Sequence, residues 1–511
     1  MAIVRSGATS AQGRRVLSLS NPATGEAIDS IEVATAADVQ SALETARRAQ
    51  AAWGARPPAE RGAVLERAAR ILAGRHEQFA DVIVRESGKP RLEALFMEVL
   101  PGCDVLQYWG KRAPRILAPE KKRMHLLGLQ KKLRILYRPL GVVGIITPWN
   151  GPFVLAINPV AQALVAGNAV LLKPSEVSPK SSGQVLDLFR EAGLPEGVLQ
   201  VLYGDGETGA ALVEAGCDKI SFTGSVGTGR KVGESCGRNL IPCTLELGGK
   251  DAMIVCADAD LERAANGAVF GCFLNAGQVC MSVERVYVAE AVAQAFIDKV
   301  VAKVKSLRQG SGGEFDVGPL FWEPQLSVVE RHVEDARSKG ARILTGGRRN
   351  QTLPGLFYEP TVLVDVSDEM AVMKEETFGP VLPIVVVRDE EEAIARANAG
   401  AYGLSASVWS KDRERAVCIA ARLCAGSVCI NDHGVTYGAT EAPFGGLKAS
   451  GVGQVNGVAG PRSFCHAQPI LIDRIAPASE QVWYPYTPAK EKQIRATMRW
   501  VWGTSLGRWI S

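Results

Sequence analysis

Val142-Val-Gly-Ile-Ile-Thr-Pro-Trp-Asn150 opens the stretch on which the reading of the fold turns. An apolar, β-branched run from Val142 to Thr147 stops at Pro148, which cannot donate to a sheet ladder. The pattern then repeats. Val170 to Lys173 reads as a strand before Pro174, Ser181 to Glu191 as a helix, and Val198 to Tyr203 as a strand. Glu207 to Glu214 is helical, Lys219 to Thr223 a strand, Ser225 to Glu234 a helix and Thr244 to Leu247 a strand. Short apolar runs between helical patterns predict strands buried on both faces, hence a doubly wound parallel α/β sheet from Gly141 to Gly248.

Working outward, the alternation restarts after Lys250. Ala252 to Cys256, Val283 to Val288, Pro383 to Val387 and Ser405 to Trp409 read as strands, with Leu261 to Leu274 helical. A second α/β domain is the economical reading. Leu133 to Tyr137 and Ile470 to Ile475 lie outside both alternations and could pair as an added sheet. The first twenty residues carry Arg5, Arg14 and Arg15 without an acid, and the expectation there is a frayed terminus.

A chain of 511 residues exceeds one ordinary core, and 47% hydrophobic with 22% charged residues is a globular composition. A net charge of +4 argues against a dedicated nucleic-acid binder, and no apolar run reaches the roughly 18–20 residues of a membrane span. Eleven cysteines without a Cys-x-x-Cys pair give neither a zinc module nor a disulfide framework. No metal is expected, and reduced thiols point to the cytoplasm.

Two glycine strings compete for a nucleotide. Gly204-Asp-Gly206-Glu-Thr-Gly209 matches the dinucleotide fingerprint, but no acidic residue closes a second strand at the expected spacing. Phe222-Thr-Gly224-Ser225-Val-Gly227-Thr-Gly229 also joins strand to helix, with Ser225 where a helix N-terminus favours phosphate. The residues alone leave these two nearly even, beside plain glycine turns as the bland alternative.

Chemistry gathers at Cys280, in Asn275-Ala-Gly-Gln278-Val-Cys280. A cysteine after a Gly-Gln turn, partly exposed and near helix ends, is expected to have a depressed thiol pKa. Alone, a buried structural cysteine would be the better reading. Glu246, flanked by leucines at a strand end, adds a carboxyl whose desolvation would raise its pKa toward a general base. Asn150 lies just past a strand's carboxyl end, where α/β sheets place ligands.

The strings NPATGE from Asn21, TPWN to Asn150, LLKPSE to Glu176, FTGSVGTG, LELGGK, GQVC, EETFGPV (Glu375 to Val381) and PFGG (Pro443 to Gly446) stand in the order of the aldehyde dehydrogenase superfamily. Over about residues 20 to 470 the chain resembles that family. The resemblance implies NAD(P)-dependent oxidation of a small-molecule aldehyde. Cys280 would attack the carbonyl, Asn150 and the Cys280 backbone N–H would hold the oxyanion, and Glu246 would activate water against the thioester. It implies Lys173 and Glu176 at the adenosine ribose, Ser225 at the phosphates, and Glu376 and Phe378 at the nicotinamide. Thr147, Pro148, Trp149, Ser175, Gly206, Gly224 and Leu247 would line the same cofactor, with the Gly204–Gly209 string otherwise a structural turn. NAD is preferred, because the Glu176 carboxylate would repel an added 2′-phosphate; NADP is the second option.

The domain partition follows. Residues 1–124, 141–248 and 450–466 would form the cofactor-binding domain, and 249–449 the catalytic domain. Residues 125–140 and 467–482 would be oligomerisation strands of a homodimer or homotetramer, and 483–511 an amphipathic tail. The tail is expected to dock on a partner subunit in preference to a membrane surface.

Two positions depart from the family pattern. Val455 stands where many members carry a second glutamate, and Gly151 where many carry an aromatic. With Asn158, the latter suggests a wider, less apolar tunnel for bulky or aromatic aldehydes. The rival readings are an acylating, coenzyme A-dependent dehydrogenase and a non-catalytic relative.

Overall fold

The computed structural model describes residues 5–9, 13–125, 128, 130–311 and 313–505. Two sheets dominate it. The first has six strands in the order Gly451–Val452, Cys243–Glu246, Lys219–Thr223, Val142–Ile146, Ala169–Lys173 and Leu199–Val201. All neighbours are parallel except the Gly451–Val452 edge, which sets Gly451 opposite Glu246. The chain runs outward from Val142–Ile146 through the next two strands, then returns to the other side for Lys219–Thr223. That reversal opens a crevice at the carboxyl ends of Val142–Ile146 and Lys219–Thr223.

Both faces of this sheet are covered. Trp109, Phe153, Ile157 and Val160 pack on one, and Val39, Leu43, Leu212 and Val232 on the other. Every residue of the Val142–Ile146 and Ala169–Lys173 strands is buried, which is why they read as unbroken apolar runs.

The second sheet has seven strands, in the order Arg342–Thr345, Thr361–Val364, Val381–Val387, Val283–Ala289, Asp251–Val255, Ser405–Trp409 and Ser427–Ile430. Only Arg342–Thr345 is antiparallel to its neighbour. Cys280 lies just before Val283–Ala289, at the amino end of this sheet, whereas Asn150 and Ser225 follow strands of the first.

The expected added sheet is present, and broader. Lys131–Pro139 is central, with Cys465–Asp473 antiparallel on one side (Leu133 opposite Leu471) and Glu120–Lys122 on the other. The expectation of a frayed N-terminus is corrected. Arg5–Thr9, Arg15–Ser20 and Ala27–Glu32 form an antiparallel three-stranded sheet. Ala27–Glu32 is mostly exposed and polar, so its sequence carries little strand signal.

Candidate active site

The Asn150 turn is fixed from below. Lys89 and Glu98 form a buried ion pair, Lys89 Nζ donates to the Asn150 carbonyl (3.2 Å), and Glu98 Oε2 accepts from the Phe153 N–H (2.7 Å). The Asn150 side chain donates from Nδ2 to the Gln278 carbonyl (2.9 Å), two residues before Cys280. One amide hydrogen is engaged there, which leaves the second for a ligand.

The Cys280 loop has unusual backbone. Asn275, Ala276 and Gly277 all adopt positive φ (52°, 54° and 75°). For the two L-residues this is a strained conformation that side-chain bonds must hold. Asn275 Nδ2 donates to the Asn150 carbonyl (2.9 Å) and the Gln278 carbonyl (3.1 Å), and the Asn275 N–H donates to Glu93 Oε1 (2.9 Å). Gln278 Nε2 donates to the Asn275 carbonyl (2.8 Å), while its Oε1 accepts from the Phe321 N–H (2.9 Å). A Cβ on Gly277 would stand 2.2 Å from the Gly379 carbonyl oxygen. The loop is thereby wired to both neighbouring walls.

Glu246 ends its strand buried, and neither carboxylate oxygen has a hydrogen-bond partner among the described residues. Desolvation raises its pKa well above the ordinary carboxylate range, as the sequence led one to expect. The glycines after it make room. A Cβ on Gly248 would fall 2.2 Å from Glu376 Oε2, and one on Gly249 2.6 Å from the Cys280 carbonyl oxygen. The Gly249 N–H donates to Glu376 Oε1 (3.0 Å). Burial, then the nearby Glu284 charge, pushes the Glu376 carboxyl up to about 8.

A cleft of about 680 Å³ runs along these groups. Cys280, Glu246, Asn150, Thr147, Pro148, Trp149, Lys173, Ser175, Glu176, Gly206, Gly224, Ser225, Leu247, Glu376 and Phe378 all line it. The sequence reading therefore brought together residues that share one cavity. Ser225 caps the Val226–Arg238 helix by accepting from the Thr228 N–H (3.3 Å). Lys173 Nζ lies 3.3 Å from Glu176 Oε2, and burial lowers the lysine pKa. Trp149 meets Phe378 edge-on, with ring centroids 5.3 Å apart.

Two expectations need correction. The Cys280 thiol is not depressed: it is half-buried, and desolvation followed by the Asp251, Glu376 and Glu246 carboxylates pushes it up. Loss of water around the sulfur outweighs the helix-end dipoles invoked from sequence. Gly206 and Gly209 of the Gly204–Gly209 turn border the same cleft as Ser225. Asn158 does not make a tunnel polar. It is fully buried, accepting from Trp109 Nε1 (3.0 Å) and Gln162 Nε2 (2.9 Å) while donating to Asn456 Oδ1 (2.9 Å) and the Tyr437 hydroxyl (3.2 Å).

Sequence reasoning missed Trp322, Gln325 and Val328, which also line the cleft, and the buried supports Lys89, Glu93, Glu98 and Glu284. For Trp322 no local signal separates a cleft aromatic from a core one. The buried acids did carry one, since glutamates inside apolar stretches require partners.

Two doubly wound sheets, one presenting its carboxyl ends and the other its amino end to a shared cleft, define an α/β enzyme architecture. The model of the aldehyde dehydrogenase family matches residues 8–470, and the chain belongs to that family. A putative succinate-semialdehyde dehydrogenase [NADP(+)] of Mycolicibacterium smegmatis is 42% identical over 456 residues, 88% of each chain. A 4,4'-diapolycopene aldehyde oxidase of Methylomonas is 39% identical, over 94% of this chain and 91% of that one. Among solved structures, a Mycobacterium tuberculosis aldehyde dehydrogenase complexed with NAD+ superimposes with a TM-score of 0.85 at 36% identity, covering 90% of this chain and 94% of that one.

Proposed function

We propose that the chain oxidises an aldehyde to a carboxylic acid with NAD(P), through a covalent adduct on Cys280. The observation that carries the reading is Glu246: a buried carboxyl with both oxygens unpartnered, in the same cleft as a cysteine and a half-engaged asparagine amide. A carboxyl left in that state costs stability and is best understood as a base awaiting a water.

The cleft fits a dinucleotide. Thr147 Oγ1 and Trp322 Nε1, on cleft-lining residues, are buried without partners, and a capped helix start faces the same space. Lys173 and Glu176 would hold the adenosine ribose, Ser225 the phosphates, and Glu376 with Phe378 the nicotinamide end. The bound cofactor supplies the hydride acceptor. Within the chain, Cys280 Sγ releases its proton to solvent through the cleft and bonds to the aldehyde carbon, whose C=O π electrons move onto the oxygen. The oxyanion so formed is held by the free Asn150 amide hydrogen and the Cys280 N–H. With the hydride gone, the acyl group remains as a thioester. Glu246 removes a proton from water as its oxygen attacks the acyl carbon, and the C–S bond breaks to release the acid.

NAD is the preferred cofactor on the strength of the Glu176 carboxylate. The Lys173 ammonium 3.3 Å away tempers repulsion of a 2′-phosphate, so NADP is the second choice. Residues 249–449 would form the catalytic domain and the remaining α/β part the cofactor domain. The Lys131–Pro139 and Cys465–Asp473 strands would join subunits through the exposed Ile470, Leu471 and Ile472.

The test is a pair of variants assayed with an aldehyde panel. Cys280→Ala should abolish reduction of NAD(P) while leaving cofactor binding within about twofold. Glu246→Gln should slow turnover on the order of 10²-fold and leave an acyl mass on Cys280. Wild-type turnover without adduct in Glu246→Gln would reject the base. Turnover that requires coenzyme A would reject hydrolysis.

A further inference from the structure

After Asp473 the chain leaves both α/β units. Trp483, Tyr484 and Tyr486 are exposed, and the helix Pro488–Val501 follows, capped by Thr487 accepting from the Lys490 N–H (3.3 Å). All residues from 491 to 500 are exposed, and Val501 is buried. Ile494 and Met498 share one face one turn apart, continued by Trp502 just beyond the helix. Lys492, Arg495 and Arg499 occupy another. Among the described residues, no helix or strand packs extensively along this one. A helix of 14 residues is marginal alone, so an amphipathic one left this bare is built to meet a surface.

Charge indicates which surface. Residues 483–511 contain Lys490, Lys492, Arg495, Arg499 and Arg508 against the single acid Glu491. That is the whole of the chain's formal excess of +4; residues 1–482 balance. A second copy of the chain therefore offers the segment no net opposite charge, and protein interfaces are depleted in lysine. An anionic bilayer offers both halves of the match. Its phosphates attract Lys and Arg, each worth about fivefold in partitioning near the surface, and its headgroup layer takes up Trp and Tyr. No helix among the described residues is long and apolar enough to cross a membrane, so the segment would lie on one.

We propose that residues 483–505 form an interfacial lipid-binding segment. Ile494, Met498 and Trp502 enter the headgroup layer, and Lys492 and Arg499 contact lipid phosphates. The sequence alone favours a partner subunit; the bare helix and the balanced remainder of the chain move the argument to lipid. The proposal does not depend on the chemistry at Cys280.

Purified full-length protein is sedimented with vesicles of equal parts phosphatidylcholine and phosphatidylglycerol, and with phosphatidylcholine alone. Binding should be confined to the anionic vesicles and weaken with added salt. K492E/R499E and M498A/W502A should each lose binding by about tenfold or more, with subunit number by sedimentation velocity unchanged. Absence of binding, or equal binding by K492E/R499E, overturns the proposal. So does a chain ending at residue 482 that keeps vesicle binding but changes subunit number, which would assign the segment to a partner subunit.

Discussion

Two of the turns that line the cleft are each clamped by a buried lysine–glutamate pair. At the first, Lys89 and Glu98 hold residues 150–153 through the Asn150 carbonyl and the Phe153 N–H. At the second, Lys250 and Glu284 hold residues 377–378: Glu284 Oε2 accepts from the Thr377 N–H (2.8 Å), its Oε1 from the Phe378 N–H (2.9 Å), and Lys250 Nζ donates to Thr377 Oγ1 (3.0 Å). The devices are alike but the cargo differs. The first positions the Asn150 amide, and the second positions Glu376 and Phe378 elsewhere along the same cleft. On the proposed function the same clamp serves chemistry on one side and binding on the other, so removing each lysine should injure different kinetic constants.

The largest effect is expected from breaking the clamps. Lys89→Met and Lys250→Met should each destabilise by about 3–5 kcal/mol, because a buried glutamate loses its partner; thermal or urea unfolding reads this. In the folded fraction, Lys89→Met should lower kcat, while Lys250→Met should chiefly raise the KM for NAD(P). Identical kinetic profiles would break the comparison. Next come the groups the clamps present. Asn150→Ala should lower kcat by about 10²–10³, with little change in cofactor KM. Glu376→Gln should raise cofactor KM by roughly tenfold, the worth of one hydrogen bond to a charged group. The split sharpens the contrast if it survives at both levels.

The smallest effect is a pH slope. Burial pushes the Glu93 carboxyl up to about 7 from 4.5, against the pull of the Asn275 N–H and Lys89. A carboxyl whose pKa is raised on folding binds its proton more tightly in the native state. Its share of stability is therefore complete below 4.5 and is lost as pH rises through about 7. Glu93→Gln keeps the acceptor and removes the proton, so stability should fall less steeply between pH 5 and 8, by on the order of a few kcal/mol at most. An unchanged slope in urea titrations at several pH values would remove Glu93 as the source.

Legibility from sequence followed how local each cause was. The strands Val142–Ile146 and Ala169–Lys173 are buried throughout, so nearly unbroken apolar runs announced them. Leu-Gly-Gly after Glu246 was legible as a motif, although its reason, close approach of Glu376 and the Cys280 carbonyl, exists only in three dimensions. The buried glutamates signalled a need for partners, but which turn a clamp holds was illegible, because Lys89 and Glu98 lie some fifty to sixty residues from theirs. Asn158 was misread for the complementary cause: a polar residue in an apolar helix suggested a polar lining, whereas four hydrogen bonds consume it. The Cys280 thiol was misjudged because the fold desolvates it, and three acids distant in sequence add to that effect.

The left-handed run at residues 275–277 sets how this loop can tolerate change. Ala276 sits at φ 54° with a methyl group that disfavours it, so Ala276→Gly should relax the turn rather than loosen it. Gly277 has no such latitude, since any side chain there meets the Gly379 carbonyl. A saturation library across the three positions should accordingly come back lopsided, glycine-enriched at one site and glycine-only at its neighbour, a fingerprint readable by sequencing survivors without assaying a single substrate.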